Sequence, residues 1–324
     1  MNFLGIEIGG TKLQLGVGPG DGTFVAEPVR LLVDRAEGAA GIRRQIIEAA
    51  RPLLDEFGCA AVGIGFGGPI DALEGRTITS HQVEGWNGFP LAAWCREELG
   101  LGCALGNDAD LASLAEARFG AGQGSDPVFY VTVGTGIGGG FVQRGRLYHG
   151  HGPAAAEIGH LRPGLAATDS HDTVESLASG LAIERAAVKL ADDPIFEECP
   201  TWDEALVSGN GGLTAPRSPR RLTARELAWA AERGHAESQA ILERAIATLG
   251  WALAQTITLL APQTIVVGGG VALMGEERFY GPLRATVERF VFPPLVGSYA
   301  IVPPALGEAM VVHGALALAS ETAG

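Results

Sequence analysis

The chain is poor in lysine: of its 23 basic residues only Lys12 and Lys189 are lysines, and the arginines form no basic run. With a formal net charge of -14 over 324 residues, this argues against a duplex nucleic-acid surface, because phosphate contacts need clustered Lys and Arg. The four cysteines, Cys59, Cys95, Cys103 and Cys199, have no Cys-x-x-Cys spacing. The opening "MNFLGIEIGG" lacks the charged n-region and long apolar h-region of a secretory signal, so a reduced, cytoplasmic protein is expected. No apolar stretch reaches the roughly 18 residues of a membrane span, which excludes a membrane helix. The remaining composition, 47% hydrophobic and 19% charged, is ordinary for a chain that buries its own core.

Leu4, Ile6 and Ile8 alternate, as do Leu13, Leu15 and Val17, with Gly-Gly-Thr between them. That is the period of two strands joined by a tight turn. A Walker A loop would need G-x-x-x-x-G-K-[ST] opening a helix, and neither spacing nor pattern matches. A helix is predicted over 38–57, followed by a buried strand, "AAVGIGFGGPID" (60–71). "VFYVTVGTGIGGGFVQRGRL" (128–147) repeats the strand, Gly/Thr turn, strand arrangement. A helix-rich stretch over about 174–260 contains a loop at 208–221, rich in Gly, Pro and Ser. A strand ending in three glycines (263–274) and a closing helix (307–320) complete the pattern. Hairpins alternating with helices imply a mixed-sheet α/β protein, and the doubled theme implies two lobes with a cleft between them.

Three glycine-rich turns follow strands: Gly9-Gly10-Thr11-Lys12, Gly134-Thr135-Gly136 running on to Gly140, and Gly268-Gly269-Gly270. Glycine lets backbone N–H groups approach phosphate oxygens, and Thr hydroxyls add donors, so a polyphosphate held between two lobes explains all three. Any one of them taken alone is equally a plain tight turn. Asn107 and Asp108 precede a helical pattern ending near Gly120. Only one of them can serve as N-cap, which leaves Asp108 open as a general base toward a substrate hydroxyl. Glu157 and His160, three apart, either sit as satisfied side chains or hydrogen-bond a polyol. Glu175, three residues after Asp172, is placed to close a capping box or to reach a ligand.

Taken together, "GGTK", "GPID" (68–71), "GWNGFPL" (85–91), "NDAD" (107–110), "GTGIGGG" (134–140), "AEIGH" (156–160), "ESLASG" (175–180) and "VVGGGV" (266–271) closely resemble the sugar kinases of the ROK (repressor, open reading frame, kinase) family. The resemblance covers nearly the whole chain in order and spacing. It implies an α/β actin/hexokinase-like ATPase fold of two lobes: 1–107 with 308–324 as the smaller, and 108–307 as the larger, carrying the sugar and adenosine sites. It further implies phosphorylation of a hexose by ATP with Mg²⁺. Asp108 would take the proton of the attacking hydroxyl. Asn107, Glu157, His160 and Glu175 would hold the other hydroxyls, with Gly68 nearby. Gly9, Gly10, Thr11, Lys12, Thr135 and Gly136 would hold the phosphates, and Gly268, Gly269 and Gly270 would lie beside the adenosine. Relatives are commonly homodimers.

Two departures from the family pattern stand out. Relatives carry a zinc loop, Cys-x-Cys-Gly-x-x-Gly-Cys-x-Glu, with a histidine as fourth ligand. Counted back from Glu175, the cysteine positions here are Ala166, Thr168 and Thr173, so no structural zinc is expected. His160 and Glu175 would then be oriented by packing and hydrogen bonds, for instance through an Asp172 cap. Glu7 stands where the family writes an aspartate that assists Mg²⁺, often through water. Glucose is the first substrate expected, with fructose, mannose and N-acetylmannosamine as alternatives, and polyphosphate as an alternative donor. The family's repressor branch carries a DNA-binding domain ahead of the first strand, for which the chain shows no basic segment. A catalytically idle sugar-binding protein is the second alternative.

Overall fold

A computed structural model describes residues 1–80, 82–151, 154–169, 171–200 and 221–322. The loop expected at 208–221 lies, save Arg221, outside the described residues.

The chain opens as the expected hairpin, β1 (Asn2–Ile8) and β2 (Lys12–Gly18), with Ile6 opposite Leu15 and Glu7 opposite Gln14. β3 (Val29–Leu32) extends it, and a helix α1 (Gly38–Phe57) follows. β4 (Cys59–Phe66) then lies parallel to β1, the short β5 (Ile70–Asp71) and β6 (Arg76–Thr77) pair together, and α2 (Leu91–Leu99) leads to β7 (Gly102–Asn107), parallel to β4. The first sheet therefore runs β3-β2-β1-β4-β7.

α3 (Asp108–Phe119) leads to a second sheet built on the same plan. The hairpin β8 (Val128–Val133) and β9 (Ile137–Gln143) is extended by β10 (Arg146–Leu147). Helices α4 (Val174–Ala178), α5 (Gly180–Ala186), α6 (Ala224–Glu232) and α7 (Ala236–Leu260) intervene. β11 (Thr264–Gly268), α8 (Gly281–Phe290) and β12 (Ala300–Val302) follow, giving the order β10-β9-β8-β11-β12. In both sheets a hairpin supplies the antiparallel half and two later strands join in parallel. The doubled theme in the sequence is thus a doubled sheet.

The alternation in β1 and β2 reports only one face. Leu4, Ile6, Ile8, Leu13, Leu15 and Val17 face a core shared with Ile42 and Ile46 of α1. The other face is covered as well, by the closing helix α9 (Met310–Thr322). It lies so close that a Cβ on Gly5 would fall 2.7 Å from the Val312 carbonyl oxygen, and one on Gly63 would fall 1.9 Å from that of Ala315. α9 also meets α3, where a Cβ on Gly314 would sit 2.1 Å from the Leu111 oxygen. α3 in turn packs on β9, with Ser113 Oγ occupying the space of a Cβ on Gly140. Two helices, each seated on the glycine-bearing face of a sheet, cross one another, and Asp108 heads one of them.

Candidate active site

β7 ends at Asn107 and α3 begins at Asp108, and the cap is Asn107. Its Oδ1 accepts from the Ala109 amide at 2.9 Å, and its Nδ2 donates to the Gly68 carbonyl at 3.1 Å. The cap thereby fastens the helix start to the Gly67-Gly68-Pro69 turn after β4. Asp108 is left with one oxygen on the Ala109 amide at 2.9 Å. Burial raises its pKa to about 6 against the pull of those hydrogen bonds.

Acids from several elements converge on Asp108. Glu157, the N-cap residue of a 3-10 turn at Ile158–His160, pushes the Asp108 pKa further up. Asp110 is raised to about 7, chiefly by burial, then by Glu157 and Asp108. Glu157 is itself raised, first by burial, while His160 opposes the shift and Glu175 adds to it. Glu7 at the end of β1 is raised to about 7 by burial, with Lys12 opposing and Asp108 contributing. Glu7, Asp108 and Glu157 are thus linked electrostatically in series, and Glu157 in turn to His160 and Glu175, although they come from β1, α3, the 157–160 turn and α4. Asp110 belongs to this cluster too. Sequence reasoning passed over it, although "NDAD" contained it.

The first glycine turn is braced from outside. Gly9 N donates to the Lys12 carbonyl at 3.0 Å, and Arg35 Nε donates to the Gly10 carbonyl at 2.8 Å. Gln82 lies over Gly10, its Oε1 where a Cβ would stand. The Lys12 ammonium is 3.3 Å from Glu7 Oε1 and donates to the Glu308 carbonyl at 3.3 Å. Gln14 donates to Glu7 Oε2 at 2.8 Å and to the same Glu308 carbonyl at 3.1 Å. Both oxygens of Glu7 thus have partners on β2. Arg35, Gln82 and Gln14 carried no motif of their own, and only the fold brings them to this turn.

The second and third turns adjoin. Gly269, at φ +93, is pressed against the Val133 backbone, with 2.5 Å from the Val133 oxygen to a Cβ position there. Val133 runs directly into Gly134-Thr135-Gly136. Glu175 Oε2 accepts from the Ile137 amide at 2.8 Å and fills the space beside Gly136, so this acid abuts the second glycine turn. The expected Asp172–Glu175 capping box is not formed. Thr173 caps α4 and Ser176 completes the box, because Thr173 is the residue directly before the helix; Glu175 is thereby released to reach Ile137. Among the described residues no cluster of three or more His, Cys, Asp or Glu side chains is placed to hold a metal ion.

Far from the acids, α3 is locked by Glu116, which is fully buried. Its carboxylate accepts from the amides of Ala121 at 2.8 Å, Ala305 at 3.1 Å and Leu306 at 2.9 Å. Pro304 of that segment rests 3.2 Å from the Cβ position of Gly268. The helix that presents Asp108 is thus tied to the strand-to-helix connection beside the third glycine turn.

A model of the ROK family matches residues 3–322. The chain belongs to the ROK family. Among ROK proteins it is 31% identical to a glucokinase of Thermotoga maritima, over 100% of this chain and 99% of that one. It is 30% identical to a putative fructokinase of Bacillus subtilis, over 98% and 95%. The structure superposes on a ROK hexokinase from Thermus thermophilus with a TM-score of 0.80 at 28% identity, covering 99% of both chains. A ROK family glucokinase from Streptomyces griseus, solved with glucose and AMPPNP, gives 0.74 at 29% identity over 99% of this chain and 100% of that one. The two-sheet architecture expected from the sequence is the one observed, and the four relatives named above carry the names of sugar kinases. No described helix is long and apolar enough to cross a membrane.

Proposed function

We propose that this ROK protein transfers the γ-phosphoryl group of ATP to a hexose hydroxyl, most simply that of glucose, with Asp108 as general base. The observation that carries the reading is Asp108 itself: a buried carboxylate at the start of α3, raised to about 6, with Glu157 beside it and the Gly9-Gly10 turn across from it. A base of that pKa is ionised at neutral pH yet basic enough to take a proton from an alcohol as its oxygen attacks phosphorus. Asn107, Glu157, His160 and Glu175 orient the sugar, with Gly68 held against Asn107. Each unmade buried hydrogen bond to a wrong sugar costs roughly 1 to 3 kcal/mol. Gly9, Gly10, Thr11, Lys12, Thr135 and Gly136 cradle the phosphates, and Gly268 to Gly270 border the adenosine. The S. griseus relative with glucose and AMPPNP supports both ligands. In this reading the lobes divide at 1–107 with 308–324 and 108–307, and the molecule works in the cytoplasm as a homodimer.

The likeness to a putative fructokinase keeps fructose as the second reading, ahead of mannose and N-acetylmannosamine. A coupled ADP-release assay over a hexose panel, with polyphosphate as a parallel donor, is expected to show turnover with ATP and glucose. Tight sugar binding without turnover on any hexose would replace the kinase with an idle sugar-binding protein.

Mg²⁺ fits the charge there: the Glu7 and Asp108 carboxylates lie within electrostatic reach of each other beside the Gly9-Gly10 turn, hard oxygen groups able to hold an ion's water shell. The ion would neutralise phosphate charge there. Glu7 already binds Lys12 and Gln14, so it acts on the ion's waters rather than as a direct ligand. Glu7→Gln is expected to raise the Mg²⁺ concentration for half-maximal rate by about tenfold, the scale of one outer-shell partner, while Glu7→Asp keeps it near wild type. Unchanged Mg²⁺ dependence in the Gln variant would remove Glu7 from the ion's surroundings.

His160 and Glu175 are held without zinc in this reading. Thr173, at an expected cysteine position, is occupied as the α4 cap, and Glu175 is fixed by the Ile137 amide. Elemental analysis of protein purified without chelator is expected to find no stoichiometric zinc. Zinc at one per chain, lost on His160→Ala, would contradict it.

A further inference from the structure

A pocket of about 430 Å³ opens beside the sugar-side residues. Its lining includes Thr135, His160 and Glu175, and also Ser179, His171 and Arg185, which have no part in the reaction described above. We propose that this annex is an anion subsite that takes a phosphate group.

Its donors are underused. Arg185 reaches the Ser176 carbonyl only at 3.5 Å, and no carboxylate lies within ion-pairing distance of it among the described residues. Its neighbour Glu184 is 3.9 Å from Arg221 instead. Ser179 is 2% exposed; its Oγ accepts from the Ala182 amide at 3.2 Å, and its hydroxyl proton has no described acceptor. The backbone of His171 is pinned by Asp169 at 2.8 Å, which presents the imidazole at the pocket. Glu175 is the acid on the lining, and one of its oxygens is already bound to the Ile137 amide. A guanidinium, two imidazoles and a buried hydroxyl around one concavity match a tetrahedral oxyanion, which accepts several charge-assisted hydrogen bonds at once. In a chain of net charge -14 the surrounding field opposes anions, so affinity depends on this local set. The subsite rests on the kinase reading only for its position next to the sugar. Two sources share the chemistry: inorganic phosphate, and the phosphate of a phosphorylated hexose entering from the sugar side.

The test is calorimetric titration with inorganic phosphate, in the presence of saturating ADP and Mg²⁺ so that the nucleotide turns are filled. Wild type is expected to bind phosphate. Arg185→Gln is expected to bind at least about tenfold more weakly, the effect of one charge-assisted bond, and Arg185→Lys to recover part of the loss. Arg185 is exposed, and equal melting temperatures confirm that the variants fold. Titration with glucose 6-phosphate separates the sources: displacement of bound glucose points to the sugar-borne group, and binding alongside glucose points to the free anion. Absence of phosphate binding to wild type, or equal binding by Arg185→Gln, overturns the subsite. If no hexose is turned over while phosphate binding still depends on Arg185, only the kinase reading falls.

Discussion

Asp108→Asn is expected to lower kcat/KM for the sugar by about 10²- to 10⁴-fold, the range of a positioned general base, while sugar affinity changes little. It is also expected to raise the melting temperature at pH 8. The two effects share a cause. Burial lifts the Asp108 pKa from 3.8 to about 6, so the folded protein holds this proton more tightly than the unfolded chain does. Stability from this group is therefore fully present below about pH 4 and is lost as pH rises through 6. Above that the ionised carboxylate costs about 3 kcal/mol. Asparagine removes the charge and keeps the amide contact, so the variant gains at pH 8 and gains nothing at pH 4. Wild-type kcat/KM should fall away below about pH 6 as the base is protonated, and the residual rate of the variant should lack that limb. Glu7 and Asp110 are raised to about 7 and Glu157 is raised by burial, all coupled to Asp108 directly or through Glu157, so the limb belongs to the cluster. A variant with near wild-type turnover, or one less stable at pH 8, would falsify the assignment.

The second large effect concerns the packing beneath the site. Gly63→Ala is expected to cost about 3 kcal/mol or more, at the upper end of overpacking, read as a lowered urea midpoint or as insoluble expression. The new methyl would stand 1.9 Å from the Ala315 carbonyl oxygen, 2.7 Å from the carbonyl carbon and 3.2 Å from Cα. All three are backbone atoms of α9, so no side chain can swing away, and the helix must lift from β4. Since α9 also touches α3 through Gly314 and Leu111, surviving protein should turn over sugar more slowly although Gly63 touches no ligand. Gly102→Ala, in the neighbouring strand β7 with nothing within 4 Å of its Cβ position, is the matched control. It is expected to change stability by no more than about 0.5 kcal/mol, leaving the midpoint near wild type. Equal midpoints for the two variants would show that the helix yields freely.

The hairpins, α1 and the closing helix were legible because their residues follow periods that a single sequence displays. Leu4, Ile6 and Ile8 mark one face of β1, and 38–57 is the helix that forms. What the sequence hid was the second face. Gly5 and Gly63 lay inside expected strands and Gly140 in the Gly/Thr turn, with nothing in the sequence to say that each clears space for a packed helix. The acids Asp108, Glu157 and Glu175 were nameable as candidates from their motifs, but their mutual proximity depends on how two sheets meet. The cap at α4 was misread because Asp172 and Glu175 fit a spacing rule that Thr173 and Ser176 fit in fact. Glu116, Gln14, Arg35 and Gln82 were invisible for a related reason: each acts on backbone or side chains far away in sequence.

The docking of α9 on β1 and β4 has a consequence for biosynthesis. β1 and β4 are covered on one side by α9, a thirteen-residue helix made long after them. Until α9 is made, the glycine-bearing face of the first sheet is bare, and that exposed surface is the kind that makes incomplete folds prone to aggregate. The second sheet, whose face receives α3 from just upstream, has no such wait.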